Sequence, residues 1–396
     1  MDKKKICVVT GTRADYGILS GLMRLIDQDP AMKLQIVATN MHLSPEYGMT
    51  VDEIEKDGFR VDRRVEMLLS SDTPTGTVKS MGLASIGFAD AFEQLAPDII
   101  VILGDRYEML AAASAALIFG IPVAHLHGGE ITEGAYDDAI RHAITKLSYY
   151  HFTSTEEYRR RVIAMGEEPW RVFYAGSPAV DAISRFAPMP LADLEGSLGV
   201  KLDDDFLLVT FHPVTMQPGE GERQTRALLA ALDETVMKDA DYTKIKVLFT
   251  MPNSDTDGRS VARIIREWCD RNAGRALAVT SLGRDRYYSA LAHCAAVVGN
   301  SSSGLIEAPS FGVPTLDIGD RQKGRASGNT VTHCTAEENA IASGLRHVLS
   351  EDTRNQCRLS GVNPYHRPGT LELIHRVLAE AKPARHIAKR FYDQER

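Results

Sequence analysis

The twelve residues His127-Gly128-Gly129-Glu130-Ile131-Thr132-Glu133-Gly134-Ala135-Tyr136-Asp137-Asp138 form the densest acid/base constellation in the chain. Four carboxylates, Glu130, Glu133, Asp137 and Asp138, fall within nine positions beside a histidine. The paired glycines let backbone approach a ligand closely. Helical spacing from Asp138 to Ser148 sets Arg141, His142 and Thr145 on the face that Asp138 occupies. Helix capping accounts for Asp137 or Asp138 taken singly, and a solvated loop accounts for Glu130. Neither accounts for the whole cluster.

Other chemistry-bearing residues follow short apolar runs. Asp105 and Arg106, in Gly104-Asp105-Arg106-Tyr107-Glu108, set an acid and a cation directly after Ile99–Leu103, although an N-cap is the plainer use of the aspartate. Arg13, after Gly11-Thr12, reaches for an anionic group or pairs with Asp15. That turn is not GxGxxG, so a dinucleotide fingerprint is missing. His212, held by Pro213 at the end of Phe206–Phe211, suits proton transfer or a phosphate contact. Asn253 ends the next run in the same way, with a weaker signal. Gly299-Asn300-Ser301-Ser302-Ser303-Gly304 reads as a phosphate cradle: free backbone N–H groups, hydroxyls and a helix start converge there. Glu307, one turn further on, is placed to accept from both hydroxyls of a ribose. Arg321, Lys323 and Arg325 supply cations just downstream.

These residues need a scaffold that brings strand ends together. The runs Ile6–Thr10, Leu34–Thr39, Ile99–Leu103, Val123–Leu126 and Val172–Ala175 alternate with amphipathic stretches, which predicts βαβ units and a parallel sheet. The pattern weakens at Phe186–Pro190 and the acidic run Asp203–Asp205, so Ser177–Asp205 is expected to contain an inter-domain linker. It restarts with Phe206–Phe211, Ile245–Thr250, Leu277–Thr280, Ala295–Val298 and Val313–Ile318. The expectation is α/β: two Rossmann-like, doubly wound domains whose parallel sheets face a central cleft. Residues 1–185 form the first and 186–369 the second, and a C-terminal helix within 370–396 returns to the first. Open parallel sheets bind ligands beyond the carboxyl ends of their strands, where the residues above lie.

Composition narrows the function classes. The 396 residues carry 45 Lys and Arg against 53 Asp and Glu, a net charge of −8, which argues against a general nucleic-acid or membrane-surface binder. The five cysteines are scattered without a CxxC pair, as expected of reduced thiols in a cytoplasm. No apolar run is long enough to cross a membrane.

Together these residues resemble the UDP-N-acetylglucosamine 2-epimerase family over nearly the whole chain. The likeness rests on GTRADYG at Gly11–Gly17, GDRYE at Gly104–Glu108, HGGEITEGAYDDAIRHAITKLS at His127–Ser148, FHPVT at Phe211–Thr215, GNSSSGLIE at Gly299–Glu307 and GDRQKGR at Gly319–Arg325. The resemblance implies the GT-B architecture, a nucleotide-sugar substrate, homodimers or homotetramers, and no NAD or essential metal. The HGGE-TEGAYDD form is similar to the hydrolysing branch, which releases UDP and N-acetylmannosamine for sialic-acid-type synthesis. Some members carry Glu where His127 stands here, and Glu130 and Glu133 are the candidates for that carboxylate's role.

The C2 hydrogen of such a sugar becomes acidic only as the diphosphate leaves C1. A mechanism consistent with the residues therefore eliminates UDP to a 2-acetamidoglucal and then adds water with inversion at C2. Asp105, Glu130 and Asp137, with Glu133 and Asp138 beside them, supply the acid/base groups, assisted by His212. Arg13, Arg106, Asn253, Ser301, Ser302, Ser303, Glu307 and Arg321 hold the nucleotide sugar. The alternatives are the same reaction on UDP- or GDP-N,N'-diacetylbacillosamine, a non-hydrolysing epimerase, a GT-B glycosyltransferase and a nucleotide-sugar sensor.

Overall fold

The computed structural model describes residues 3–71, 73–202, 205–214, 217, 219–242, 244–252, 257–381 and 387–393. Two compact units divide the chain. The first comprises Met1–Glu130, Asp137–Ala182 and Tyr365–Arg396; the second comprises Ile131–Tyr136 and Ile183–Pro364.

The first unit is built on a seven-stranded sheet of β1 (Lys4–Thr10), β2 (Met32–Thr39), β3 (Arg63–Val65), β4 (Ile99–Leu103), β5 (Val123–Leu126), β6 (Tyr150–Thr153) and β7 (Val172–Tyr174), in the order β3-β2-β1-β4-β5-β6-β7. Every pairing is parallel. Alternate residues of the central strands feed opposite cores. Ile6, Val8, Ile99 and Val101 pack on one face, and Cys7, Val9, Ile100 and Ile102 on the other. Burial on both faces is what makes these strands unbroken apolar runs in sequence. The helix Thr370–Glu380 closes one face by setting Leu371, Ile374 and Leu378 into that unit's core beside Leu19 and Leu22.

The second unit holds a six-stranded parallel sheet of β8 (Phe206–Thr210), β9 (Lys246–Thr250), β10 (Ala276–Val279), β11 (Ala296–Gly299), β12 (Thr315–Ile318) and β13 (Val331–Cys334), ordered β10-β9-β8-β11-β12-β13. Counted from its own first strand, the second sheet runs 3-2-1-4-5-6, the dinucleotide-fold order, and the first runs the same way with a seventh strand beyond the sixth. Such sheets bind ligands where the winding reverses, between strands 1 and 4. Those points lie after β1 and β4 in one unit and after β8 and β11 in the other, the places where the sequence puts Arg13, Asp105, His212 and Ser301.

The division differs from the sequence expectation of 185/186 and 369/370 in an instructive way. The chain changes units inside the helix Pro178–Ser184, because Ile183 packs into the second core with Leu194, Leu202 and Phe206. It returns at Tyr365, whose carbonyl accepts the Ser177 amide N–H at 3.0 Å. Asp203 and Asp204 of the expected linker lie outside the described residues. Among the described residues, no helix is long and apolar enough to cross a membrane.

Candidate active site

In the first unit the acids gather around one guanidinium. Arg141 lies on the helix Asp137–Leu147 with its side chain 1% exposed. Its Nη2 donates to Oδ2 of Asp105, its Nη1 donates to the Glu130 carbonyl at 2.9 Å, and Asp138 lies 3.6 Å from Nη1. Asp138 also lies 3.4 Å from His142 one turn on, so the face expected from helical spacing is present. Asp137 opens the same helix and is buried. The bidentate fork fixes Asp105 against the start of the Glu130 loop, which a lysine's point charge does not do.

Beneath Asp105, the buried His125 on β5 meets the Gly104 carbonyl through Nε2 at 2.7 Å, and Thr145 Oγ1 lies 3.3 Å from its Nδ1. Burial pushes the His125 imidazole down to about 3, so it stays neutral and works as a strut between β4 and the helix. His127 follows β5 in the left-handed region, φ 66°. Its Nδ1 lies 2.7 Å from Glu130 Oε1, the oxygen that also accepts from Ser154 Oγ at 2.6 Å. Glu130 is completely buried.

The other expected residues of this unit sit at the neighbouring strand ends. Arg13 pairs with Glu53 at 2.7 Å rather than with Asp15. Asp15 instead closes a capping box with Thr12 at the start of the helix Arg13–Gln28. Burial, and the Glu108 carboxylate nearby, push Asp15 up to about 7. Arg106 precedes the helix Tyr107–Ile118 and donates through Nε to the fully buried Glu108 at 3.0 Å. Gly11 is the one residue that fits over this acid, since a Cβ there would stand 2.5 Å from Glu108 Oε1.

Glu133 pairs within the second unit. The segment Ile131–Tyr136 belongs to the second unit, where the Glu133 amide donates to the Lys323 carbonyl at 3.0 Å. Its carboxylate is half exposed, 3.5 Å from the Lys323 ammonium. Gly134 presses so closely on the Asp320 backbone that a side chain is excluded.

The second unit has its own hub in the buried Asn300. Its Oδ1 accepts the His212 amide N–H at 2.7 Å and its Nδ2 donates to the His212 carbonyl at 2.8 Å. Its own carbonyl accepts from Arg321 Nη1 at 3.2 Å and Gln322 Nε2 at 2.9 Å. His212, the Ser301–Ser303 turn and Arg321 are thereby collected at one strand edge. Gly299, φ 134°, lies where any Cβ would overlap the Thr210 carbonyl. The helix expected to contain Glu307 is a single turn, Ser303–Ile306, with Glu307 as its C-cap, followed by the 3-10 turn Ala308–Phe311. Its macrodipole is correspondingly small, so the polar character of the turn comes from its N–H groups and hydroxyls. Tyr287 donates to Ser303 Oγ at 2.8 Å and Tyr288 to Glu307 Oε1 at 3.1 Å. Ser301 and Ser302 stay partly accessible. Asn253 lies outside the described residues.

Sequence reasoning left Arg141, Asn300 and His127 off the site. Arg141 carried a signal, its spacing from Asp138; Asn300 carried one too, its place inside the glycine-serine turn. Among the described residues no group of three or more His, Cys, Asp or Glu side chains is placed to hold a metal ion.

Residues 24–379 match the model of a family described as UDP-N-acetylglucosamine 2-epimerase. The chain is 44% identical over 325 residues to the hydrolysing GDP/UDP-N,N'-diacetylbacillosamine 2-epimerase of Campylobacter jejuni, covering 82% of this chain and 83% of that one. It is 37% identical over 393 residues to the polysialic acid biosynthesis protein P7 of Escherichia coli, covering 98% and 97%. A solved structure of UDP-GlcNAc 2-epimerase from Neisseria meningitidis bound to UDP-GlcNAc superposes with a TM-score of 0.79 at 16% identity, covering 95% of this chain and 100% of that one. At that identity the likeness is one of fold, the GT-B-like pair of Rossmann-like domains.

Proposed function

The chain belongs to the UDP-N-acetylglucosamine 2-epimerase family, and on that premise we propose that it is a hydrolysing 2-epimerase of a nucleotide-linked N-acetylated hexosamine. One observation carries this function above the others: Asp105, Asp138 and the Glu130 loop converge on the buried Arg141 at the strand ends of the first unit. A glycosyltransferase needs an acceptor groove, and a sensor needs a nucleotide grip. Neither needs so many carboxylates at one edge.

The chemistry follows from the acidity of C2–H. As the C1–O bond breaks toward the diphosphate, positive charge at C1 acidifies the hydrogen on C2. One group removes it, giving the 2-acetamidoglucal, and a second delivers a proton to the opposite face while water adds at C1. Asp105, Glu130 and Asp137 form this acid/base set, with Arg141 gripping Asp105 and the Glu130 carbonyl. Ser301, Ser302, Ser303, Arg321 and Glu307 hold the nucleotide, with His212 beside them and Arg13 and Arg106 at the strand ends of the first unit. Donors aimed at a leaving oxyanion are worth about 3–4 kcal/mol each.

The sugar is diacetylbacillosamine, linked to UDP or GDP, on the strength of the Campylobacter relative's name. UDP-N-acetylglucosamine is the second substrate to test, supported by the polysialic acid relative that matches nearly end to end. Incubating the protein with each nucleotide sugar in deuterated water and following products by NMR decides between them. Release of the free 2-epimeric sugar with deuterium at C2 is the expected result. Product without deuterium at C2 removes the elimination route, and an accumulating nucleotide-linked epimer removes hydrolysis.

The chain works in the cytoplasm, consistent with five free thiols. It pairs with a second copy through the helix Pro74–Leu95, on which Val78, Leu83 and Ile86 are exposed. Lys79 and Asp90 lie on the same exposed stripe three helical turns apart. An antiparallel pairing therefore sets the Lys79 of each copy opposite the Asp90 of the other.

A further inference from the structure

His127 stands at the head of the acid cluster, and its environment is that of a base. Its backbone is held in the left-handed region, φ 66°, which costs a residue with a side chain about 1–2 kcal/mol. Its amide donates to the Phe152 carbonyl at 2.9 Å. Nδ1 is held at 2.7 Å by Glu130 Oε1, and Nε2 lies 3.4 Å from Ser177 Oγ. An ionised carboxylate only accepts. With Glu130 accepting, Nδ1 carries the hydrogen, and in that tautomer Nε2 is the nitrogen left to accept. The Ser177 contact is long and weak, so a ligand can replace it.

Two contrasts separate this histidine from a structural one. His125, two residues earlier on β5, spends a ring nitrogen on a backbone carbonyl and is completely buried. Among the described residues His127 bonds its ring to side chains alone, and 9% of its side-chain surface stays accessible. Glu130, in turn, is fully buried, and its Oε1 already takes Nδ1 of His127 and the Ser154 hydroxyl. Such a carboxylate is placed to orient an imidazole and to stabilise its protonated form. The guanidinium that grips Asp105 also grips the Glu130 carbonyl, so the second acid and this pair share one anchor.

The geometry points to His127 Nε2 as the base that removes the C2 proton, with Glu130 as its positioning residue. This rests on the 2-epimerase function above and deepens it: within that acid/base set Glu130 acts through His127, and Asp105 and Asp137 remain the groups that protonate C2. The C2–H electron pair becomes the C1=C2 bond, the C1–O pair departs with the nucleoside diphosphate, and the proton resides on Nε2. Water then adds its oxygen to C1, a carboxylic acid of the cluster protonates C2 from the opposite face, and that carboxylate is reprotonated by the added water. The imidazolium loses its proton to the released diphosphate, which resets the site.

The test uses the full chain with UDP-N-acetylglucosamine and nucleotide-linked diacetylbacillosamine. His127→Gly suits the positive φ and leaves a ring-sized space. Its turnover is expected to fall about 10²–10⁴-fold and to recover in part on adding imidazole, with deuterium still entering at C2. His127→Gln, which keeps the volume, is expected to lose activity without rescue. Nitrogen-15 NMR of the histidines in the free protein reads the tautomer directly: hydrogen on Nδ1 of His127 in the native chain, and loss of that preference in Glu130→Gln. A hydrogen on Nε2 of native His127, or turnover of His127→Gln within about threefold of native, overturns the proposal. If the native chain consumes neither sugar, the 2-epimerase function fails instead, and the tautomer measurement still decides the imidazole–carboxylate pair.

Discussion

Asn300 holds both backbone groups of His212, accepting its N–H at 2.7 Å and donating to its carbonyl at 2.8 Å. One amide side chain thus replaces the strand partner that His212 loses on leaving β8, and it does so from the turn that presents Ser301 and Ser302. The histidine backbone is thereby tied to the turn that carries the hydroxyls.

Replacing Asn300 by Ala strands two buried backbone groups, at about 1–3 kcal/mol each. Urea unfolding should show stability reduced by a few kcal/mol, and calorimetric titration with UDP should show weaker binding. An Asn300→Ala variant that binds UDP as tightly as the native chain would detach the turn from nucleotide recognition.

Arg141→Lys keeps the charge and loses the fork. Lysine cannot hold Asp105 and the Glu130 carbonyl together, so kcat should drop by about tenfold or more while KM changes little, the signature of a group that arranges the acid/base set. A change confined to KM would make Arg141 a substrate-binding residue instead.

Gly299→Ala forces a methyl group onto the Thr210 carbonyl at φ 134°. Nothing flexible lies there to yield, because both partners are strand backbone. Circular dichroism and thermal unfolding should report a severely destabilised or unfolded variant, whereas Gly82→Ala, with nothing near its Cβ, should leave stability equal or higher.

Asp15 offers a pH signature. Its carboxyl is pushed up to about 7 in the folded protein, against about 4 when unfolded. Folding therefore takes up a proton between those values, and stability falls as pH rises through that window. Asp15→Asn removes this loss while its amide oxygen can still accept the Thr12 N–H. The Tm of the variant relative to the native chain should rise from pH 5 to pH 8. A difference that shrinks instead would mean that Asp15 is ionised in the fold.

Ile86→Glu places a charge at the middle of the exposed apolar stripe on the helix Pro74–Leu95. Light scattering should show the native chain as a dimer or larger and the variant shifted toward monomer. A double reversal, Lys79→Asp with Asp90→Lys, should restore pairing that either single change weakens. Native chain that is monomeric at micromolar concentration excludes this pairing.

Much of the fold is written in local pattern. β4 and β5 have the bounds expected of their apolar runs, and β1, β2, β8 and β9 differ by a residue or two at an end. Central strands of a parallel sheet are buried on both faces, which forces unbroken runs of Val, Ile and Leu. β3, β6 and β13 were not legible: β3 has three residues, β6 reads Tyr-His-Phe-Thr, and β13 is a partly exposed edge, Val-Thr-His-Cys. The helix expected to contain Glu307 ends after one turn, because Pro309 follows closely and cannot continue it.

By itself, then, the sequence determined two alternating strand–helix repeats and the polar motifs that must follow their strands, because a ligand edge is a topological consequence of winding such a sheet. Only the tertiary structure decided which of those polar groups meet. Arg141 finds Asp105 across 36 positions and Asn300 finds His212 across 88, distances over which no periodicity carries information. It also decided that Glu133 pairs with Lys323 while Glu130 turns its carboxylate to His127. Hydrogen-bond direction and burial select partners, and both exist only once distant strands lie side by side.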